Sequence, residues 1–321
     1  MLQLMERIRS MLEAVQAIKR KEQVLVIADS DGASMWMGHL VMNVVNSMGA
    51  EAVLTVITSP ENTGAREPPA SVAAAMKSVN SIIRITDNEA LGHSNARKEA
   101  TAAGARWYII HPSEADEIRR GVSVADIGLI SERTQRVAQS LTQATFVRVT
   151  GTSGTNIAMS LAGREGLALD AMGAFAIIPY YGEAAIAPVE GTAEGIIVAD
   201  LAIVQWKYLL REPLRLTIKA GKVVDVSGSM PDSKRLREMI ATDENANNVA
   251  ELGIGTSHII PLPILGIRRD AARIGTAHIG IGRNDDIGGA TWSRIHVDAL
   301  IDGAAIELDN HCVLKDGALL I

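Results

Sequence analysis

Cysteine is nearly absent from this sequence, which has Cys312 as its single thiol in 321 residues. An intramolecular disulfide is therefore excluded, and packing must stabilise the fold without covalent cross-links. Aromatic residues are also scarce, at 3% of the chain, whereas hydrophobic residues of all kinds make up 47%. We therefore expect a core of aliphatic side chains and methionine, in a chain long enough for two domains.

The sequence also lacks an excess of basic residues and a long apolar run. Its formal net charge is −6, and together with the few aromatic rings this disfavours a nucleic-acid-binding surface. No apolar stretch reaches the ~18 uncharged residues of a membrane span. The N-terminal segment is amphipathic and interrupted by charges, so it does not resemble a signal peptide. We expect a cytoplasmic protein that contacts neither nucleic acid nor membrane.

Residues 1–142 alternate apolar strands with segments of helical periodicity. Four apolar runs of strand length lie at residues 23–29, 51–57, 81–85 and 106–110. This alternation predicts an α/β domain with a parallel sheet. Asp29 and His111 lie at the carboxyl ends of two strands, where such sheets bind ligands, but no phosphate-binding glycine loop accompanies them. We therefore interpret residues 1–142 mainly as a scaffold.

Residues 143–321 change to short strands separated by glycine turns. Asp302-Gly303 and Asp316-Gly317 are pairs that favour hairpin turns. The pattern predicts a β-rich α+β domain with mostly antiparallel strands, including one at 175–178. Two helical segments are expected to interrupt it, at about 233–241 and 244–251.

A candidate metal-binding pair lies in the strand-like stretch from Ser293 to Leu300. Alternate residues of a strand point to one face, so His296 and Asp298 project together, about 7 Å apart along the strand. An imidazole and a carboxylate side by side suit a divalent metal. The same pair could instead form a plain hydrogen bond on a half-exposed strand.

Three further candidate ligands stand among apolar residues and glycines: Glu183, Glu251 and His278. A lone carboxylate in such surroundings is costly to bury unless it is paired or bound to a cation. Each residue alone could be structural, Glu251 on a solvated helix end and His278 as a hydrogen-bonded core histidine. Together with His296 and Asp298 they predict a site for one or two divalent ions, such as zinc, cobalt or manganese.

Several segments in this half resemble family M29, the metallo-aminopeptidases of the aminopeptidase T and S group. The segments that carry the resemblance are Gly154-Thr155-Asn156, Ser160-Leu161-Ala162-Gly163-Arg164, Gly182-Glu183-Ala184-Ala185-Ile186-Ala187-Pro188, Ala250-Glu251-Leu252-Gly253-Ile254-Gly255-Thr256, Gly275-Thr276-Ala277-His278 and His296-Val297-Asp298. The resemblance covers roughly residues 143 to 305. It implies a two-metal exopeptidase that works as a homodimer on a peptide or another small molecule.

The resemblance also implies a ligand set: Glu183, Glu251, His278, His296 and Asp298. The family has a tyrosine ligand shortly after the first histidine, and this sequence has none there. Asp285 and Asp286, in the loop at that position, are the candidates to replace it as oxygen ligands.

A second resemblance is to 2,5-dihydroxypyridine 5,6-dioxygenase, carried by the short Gly288-Gly289 loop before His296-x-Asp298. It implies a non-haem Fe(II) site with two histidines and one carboxylate. That enzyme has a histidine at the position of Glu251, and His258 is the candidate replacement imidazole in this sequence.

The ligand inventory favours metal-assisted hydrolysis of an amide or peptide bond. A further carboxylate is needed to transfer the proton, and Glu190 and Glu194 are the candidates because each lies close in sequence to Glu183. The alternatives are the Fe(II) ring-cleaving dioxygenase and a non-catalytic descendant of the same fold.

Overall fold

The computed structural model describes residues 1–58, 66–88, 91–173 and 175–321. The chain divides into two compact units, the first with residues 1–131 and 170–181, the second with residues 132–169 and 182–321. The boundary predicted between residues 142 and 143 lies at the end of a helix, Val124–Gln143, within which the first unit gives way to the second.

The first part of the chain alternates helices and strands. Its elements are α1 (Leu2–Ala14), β1 (Gln23–Asp29), α2 (Gly32–Ser47), β2 (Glu51–Ile57), α3 (Ala70–Met76), β3 (Ser81–Ile85), α4 (Asn95–Ala102), β4 (Arg106–Ile110), a 3₁₀ turn (Pro112–Glu114), α5 (Ala115–Arg120) and α6 (Val124–Gln143).

The remainder is dominated by strands. Its elements are β5 (Phe146–Thr150), β6 (Asn156–Ser160), β7 (Leu167–Asp170), β8 (Phe175–Ile177), β9 (Gly182–Ile186), β10 (Glu194–Ala199), β11 (Ala202–Ile203), a 3₁₀ turn (Val204–Trp206), β12 (Leu214–Lys219), β13 (Lys222–Ser227), α7 (Asp232–Met239), β14 (Val249–Gly255), α8 (Arg268–Ala272), β15 (Ala277–Gly282), β16 (His296–Ile301), β17 (Ala305–Leu308), β18 (His311–Lys315) and β19 (Ala318–Leu319).

The first unit is built on a five-stranded sheet in the order β2-β1-β3-β4-β8, with all pairings parallel. Every residue of β3 is buried, and so is every residue of β1 except Gln23, as expected for apolar strands covered on both faces. Helix α2 begins where Asp31 accepts a hydrogen bond from the Ser34 N–H at 2.9 Å. The predicted α/β domain with a parallel sheet is confirmed.

The second unit contains two sheets around one apolar core. An eight-stranded sheet has the order β13-β12-β10-β6-β5-β17-β18-β19, and a six-stranded sheet has the order β11-β16-β15-β14-β9-β7. The core takes Val147, Ile157 and Leu216 from the first sheet, and Leu252 and Val297 from the second. The predicted antiparallel, β-rich second region is thereby confirmed.

Two local predictions were wrong. The segment Glu244–Glu251 is not a helix: turns lead into β14, which begins at Val249 and pairs with β9 and β15. Long-range pairing there overrides a weak helical pattern. The strand near residue 175 does form, but as β8 it extends the parallel sheet of the first unit beside β4.

Within the described part of the chain, no helix combines the length and apolar character that crossing a membrane requires.

Candidate metal centre

One face of the six-stranded sheet carries all five predicted ligands, on the neighbouring strands β9, β14, β15 and β16. Strand alternation places the apolar residues of these strands in the core, for example Ile279 and Ile281 of β15, and directs His278 to the other face. In the same way His296 and Asp298 of β16 alternate with the core residues Val297 and Ala299. The predicted projection of the H-x-D pair to one face is what the structure shows.

Glu251 reaches this face because it alternates with Leu252 and Ile254 of β14, which lie in the core. Val249 and Leu252 both lie in the core although they are three residues apart, because the register with β15 shifts between Val249 and Glu251. Without that shift, Val249 would point to the same face as Glu251 and would lie beside the ligands.

Glycines provide the space for the donor side chains. In the strand registers, Glu183 is opposite Gly255, His278 is opposite Gly253, His296 is opposite Gly282, and both Glu251 and Asp298 are opposite Gly280. A Cβ on Gly253 would lie 2.1 Å from His278 Cε1, and one on Gly280 would lie 2.8 Å from Glu251 Cβ. The glycine-rich surroundings are therefore part of the site's construction.

The donor atoms form two overlapping groups. Glu251, His296 and Asp298 form one, Glu183, Glu251 and His278 the other, and within each group the ligand atoms lie within 4.8 Å of one another. His296 Nε2 is 2.9 Å from Glu251 Oε2 and 3.2 Å from Asp298 Oδ1. His278 Nε2 is 3.5 Å from Glu183 Oε1. Glu251 is common to both groups.

Neighbouring polar groups orient these ligands. His296 Nδ1 donates to the Arg283 carbonyl at 2.7 Å, which directs Nε2 towards the carboxylates. The Gln205 side chain makes two hydrogen bonds with Asp298. Its Nε2 donates to Asp298 Oδ2 at 2.8 Å, and its Oε1 accepts from the Asp298 backbone N–H at 2.8 Å. Arg268 Nη1 also donates to Asp298 Oδ2, at 3.2 Å.

The electrostatics of the site couple His296 to the carboxylates. Burial alone would lower the pKa of His296, but the charges of Asp298 and Glu251 and the hydrogen bonds to them outweigh it and raise that pKa well above its ordinary value. Burial opposes the ionised form of Asp298 as well, yet His296, His278 and Arg268 hold the pKa of Asp298 below its usual range. Without a metal, the site therefore favours a protonated His296 beside an ionised Asp298.

The residues present fit a divalent metal. His278 is fully buried, and among the described residues neither of its ring nitrogens has a hydrogen-bond partner. Asp298 Oδ1 is also buried, and it faces His296 Nε2 at 3.2 Å. Buried polar atoms of this kind are costly unless something binds them, and carboxylate oxygens with imidazole nitrogens are ligands for zinc, cobalt, manganese or iron.

Three other predicted ligands lie outside both groups. Asp285 forms an ion pair with Arg283, and neither Asp285 nor Asp286 belongs to a donor cluster in the described ranges. His258 is exposed, with its Nδ1 3.3 Å from Arg133 Nη1. None of the three joins the donor groups in the described part of the chain.

The two predicted acid–base residues lie in different places. Glu190 forms an ion pair with Arg164 and accepts hydrogen bonds from Asn284 Nδ2 at 3.1 Å and the Ala290 N–H at 2.8 Å. It thus contacts the loop whose Arg283 carbonyl orients His296. Glu194 is exposed on the eight-stranded sheet, where it accepts from the Ala220 N–H at 2.7 Å. Their catalytic roles remain predictions.

Sequence reasoning missed Gln205, Arg268 and the Arg283 carbonyl. Gln205 lies 93 residues from Asp298 and Arg268 lies 30 residues from it. Both belong to stretches without a recognisable motif. The two adjacent arginines Arg268-Arg269, next to an apolar turn, could have drawn attention to Arg268, but they give no signal for Gln205.

The family model for NicX, 2,5-dihydroxypyridine 5,6-dioxygenase, matches residues 3–321. No curated protein matches the chain in sequence. Among solved structures, the chain is similar to a 2,5-dihydroxypyridine dioxygenase from Pseudomonas putida KT2440, with a TM-score of 0.79, 16% identity, and coverage of 99% of this chain and 96% of that one. It is also similar to wild-type AmpT from Thermus thermophilus, with a TM-score of 0.74, 16% identity, and coverage of 100% and 99%.

Both structural likenesses establish the fold, and the family model covers almost the whole chain. The predicted divalent metal cofactor is confirmed by this membership together with the two donor groups. The chain therefore belongs to the NicX family, 2,5-dihydroxypyridine 5,6-dioxygenase, and is a metalloenzyme that shares its fold with AmpT.

Proposed function

We propose that this protein is a metal-dependent hydrolase that cleaves an amide or peptide bond. One observation supports it above all: three buried carboxylates and two imidazoles form two donor groups that share Glu251. A carboxylate-rich set of this kind suits hydrolysis, whereas an Fe(II) oxygenase typically uses two histidines and one carboxylate. The resemblance to the metallo-aminopeptidases in residues 143 to 305 points the same way.

The ligand assignment is part of this proposal. Glu251, His296 and Asp298 would hold one ion, and Glu183 and His278 extend the donor set through Glu251. When bound there, a divalent ion would polarise a substrate carbonyl and lower the pKa of a water molecule towards neutrality. Zinc, cobalt and manganese are the ions that this donor set favours.

The protein's own residues would prepare the site for that chemistry. Arg283 and Gln205 keep His296 and Asp298 in their ligating orientation. The Glu183 and His278 pair, with its polar atoms 3.5 Å apart, could hold a proton during the reaction.

Glu190 is better suited to positioning than to proton transfer. Burial opposes its ionised form, but hydrogen bonds from Ala290 and Asn284 and the charge of Arg164 lower the pKa of Glu190 below its ordinary value. A general acid needs the opposite shift. We propose that Glu190 fixes the loop behind His296, whereas Glu194 accepts a hydrogen bond from the Ala220 N–H on the eight-stranded sheet.

The second candidate function is Fe(II)-dependent cleavage of a dihydroxylated aromatic ring. The match of the 2,5-dihydroxypyridine 5,6-dioxygenase family over residues 3–321 favours it. In this reading the first triad would hold iron with one histidine and two carboxylates, which departs from the expected two-histidine set.

Metal analysis combined with two activity assays separates these candidates. Purified protein reconstituted with Zn²⁺, Co²⁺, Mn²⁺ or anaerobic Fe²⁺ would be assayed for hydrolysis of aminoacyl-p-nitroanilides and for oxygen uptake with 2,5-dihydroxypyridine. Hydrolysis without oxygen uptake supports the proposal. Iron-dependent oxygen uptake without hydrolysis would replace it with the second candidate, and a protein that binds no metal would remove both.

His296→Ala tests the site within the same assays. The variant should lose metal binding and activity, whereas His311→Ala, which removes an exposed imidazole from the same unit, should keep both. A homodimer, the cytoplasmic location and a peptide as substrate remain predictions.

A further inference from the structure

Arg268 places a permanent positive charge inside the candidate metal centre. Its guanidinium donates to Asp298 Oδ2 at 3.2 Å, and its Nη2 lies 4.0 Å from Glu183 Oε2. It thus contacts one carboxylate from each donor group. Only 19% of its side chain is exposed, so solvent screens this charge weakly.

The first residues of helix α8 hold Arg268 in this position. Asp270 is fully buried and its Oδ2 accepts hydrogen bonds from the Leu265 and Ile267 N–H groups, each at 2.9 Å. Thr276 Oγ1 lies 2.7 Å from the Arg273 carbonyl and 3.0 Å from the Asp270 and Ala271 carbonyls, so its single proton bonds to the C-terminal turn of the helix. These contacts fix the backbone of the short helix that carries Arg268.

The formal charges favour a single ion. The carboxylates of Glu183, Glu251 and Asp298 contribute three negative charges, and Arg268 contributes one positive charge. One divalent ion makes the buried site neutral. A second would leave it with two excess positive charges in a poorly solvated environment, which is strongly unfavourable.

We propose that Arg268 takes the place of a second metal ion, so that the site holds one divalent ion on Glu251, His296 and Asp298. In this arrangement Glu183 pairs with the Arg268 guanidinium and does not coordinate a metal ion. Glu183 and His278 then lie beside the ion without coordinating it, and a proton held between them, where their polar atoms are 3.5 Å apart, would offset the cost of burying those atoms. This inference rests on the metal site of the proposed function but not on the reaction that the site performs.

Counting bound ions in charge-altered variants tests the proposal without an activity assay. Co²⁺ would be titrated calorimetrically into metal-free protein, and the bound metal counted by elemental analysis after removal of excess. The parent protein and Arg268→Lys, which keeps the charge, should bind one ion per chain. Arg268→Met should bind a second ion, with an affinity on the order of 100-fold or more above any second binding in the parent.

Arg106→Met is the matched control. Arg106 has a side-chain exposure of 18%, close to that of Arg268, and also pairs with a carboxylate, Glu22, but in the other unit. This variant should still bind one ion. Two ions in the parent protein, or one ion in a folded Arg268→Met, would overturn the proposal.

Glu183→Gln keeps the proposal testable if Arg268→Met fails to fold. Because Glu183 is not a ligand of the single ion, this variant should still bind one Co²⁺ within about tenfold of the parent affinity, whereas Glu251→Gln should lose more than that. Equal, large losses in both variants would contradict the proposal. If the ion counts come out as expected but no hydrolysis is found, the proposed function fails and the role of Arg268 stands.

Discussion

Gly280→Ala should disrupt the metal centre although glycine carries no ligand atom. Gly280 lies opposite both Glu251 and Asp298 in the strand registers. An added Cβ would be 2.8 Å from Glu251 Cβ and 3.2 Å from His296 Cε1. Two ligands of the same group would therefore have to move apart from their present positions.

The size of the effect follows from this geometry. Overpacking of a rigid strand costs about 1–3 kcal/mol of unfolding free energy. Displacing two ligands by a few tenths of an ångström should weaken metal binding by about tenfold to hundredfold, or roughly 1.4–2.7 kcal/mol. Thermal unfolding in chelator measures the first effect, and calorimetric titration with Co²⁺ measures the second.

Gly128→Ala provides the control. Gly128 is exposed in helix α6, and no atom lies within 4 Å of its added Cβ. Alanine there should leave metal binding unchanged and stabilise the helix by up to about 1 kcal/mol. If Gly280→Ala bound Co²⁺ as tightly as the parent, the view that glycines make room for the ligands would be refuted.

Three further predictions concern the neighbouring groups. Gly253→Ala should displace His278, whose Cε1 would be 2.1 Å from the new Cβ. If His278 does not coordinate the ion, the affinity for Co²⁺ should change by less than about tenfold, and a larger loss of affinity would contradict the single-ion arrangement. Metal affinity should rise with pH by up to about tenfold per unit until the raised pKa of His296 is passed, because the ion must displace its proton; a flat profile would argue against His296 as a ligand. Burial raises the pKa of Glu114 to about 7, against the effects of His111 and Tyr180. Between about pH 4.5 and 7 the folded protein therefore binds more protons than the unfolded chain, so the free energy of unfolding falls as the pH rises, by about 3 kcal/mol in total. Glu114→Gln should remove this pH dependence, and its urea unfolding midpoint should no longer fall across this pH range.

Period-two alternation is the reason that part of the site could be predicted. His296 and Asp298 lie two residues apart on a regular strand, so their common face follows from local geometry. The same reasoning placed His278 on a strand, and the apolar runs of residues 1–142 on a parallel sheet. Each of these predictions depends on residues close together in sequence.

Glu251 shows where local reasoning ends. Its place on a strand depends on the pairing of β14 with β9 and β15, whereas the helical pattern of the preceding residues suggested a different element. Likewise, β8 joins the parallel sheet through a partner far away in sequence. The contacts of Gln205 and Arg268 with Asp298 depend on the tertiary fold in the same way.

The most direct test of the metal centre is an anomalous difference map from crystals of the protein grown with Co²⁺. We predict one strong peak per chain, within bonding distance of Glu251, His296 and Asp298. A strongest peak elsewhere in the molecule, with these three side chains still hydrogen-bonded to one another, would contradict the assignment.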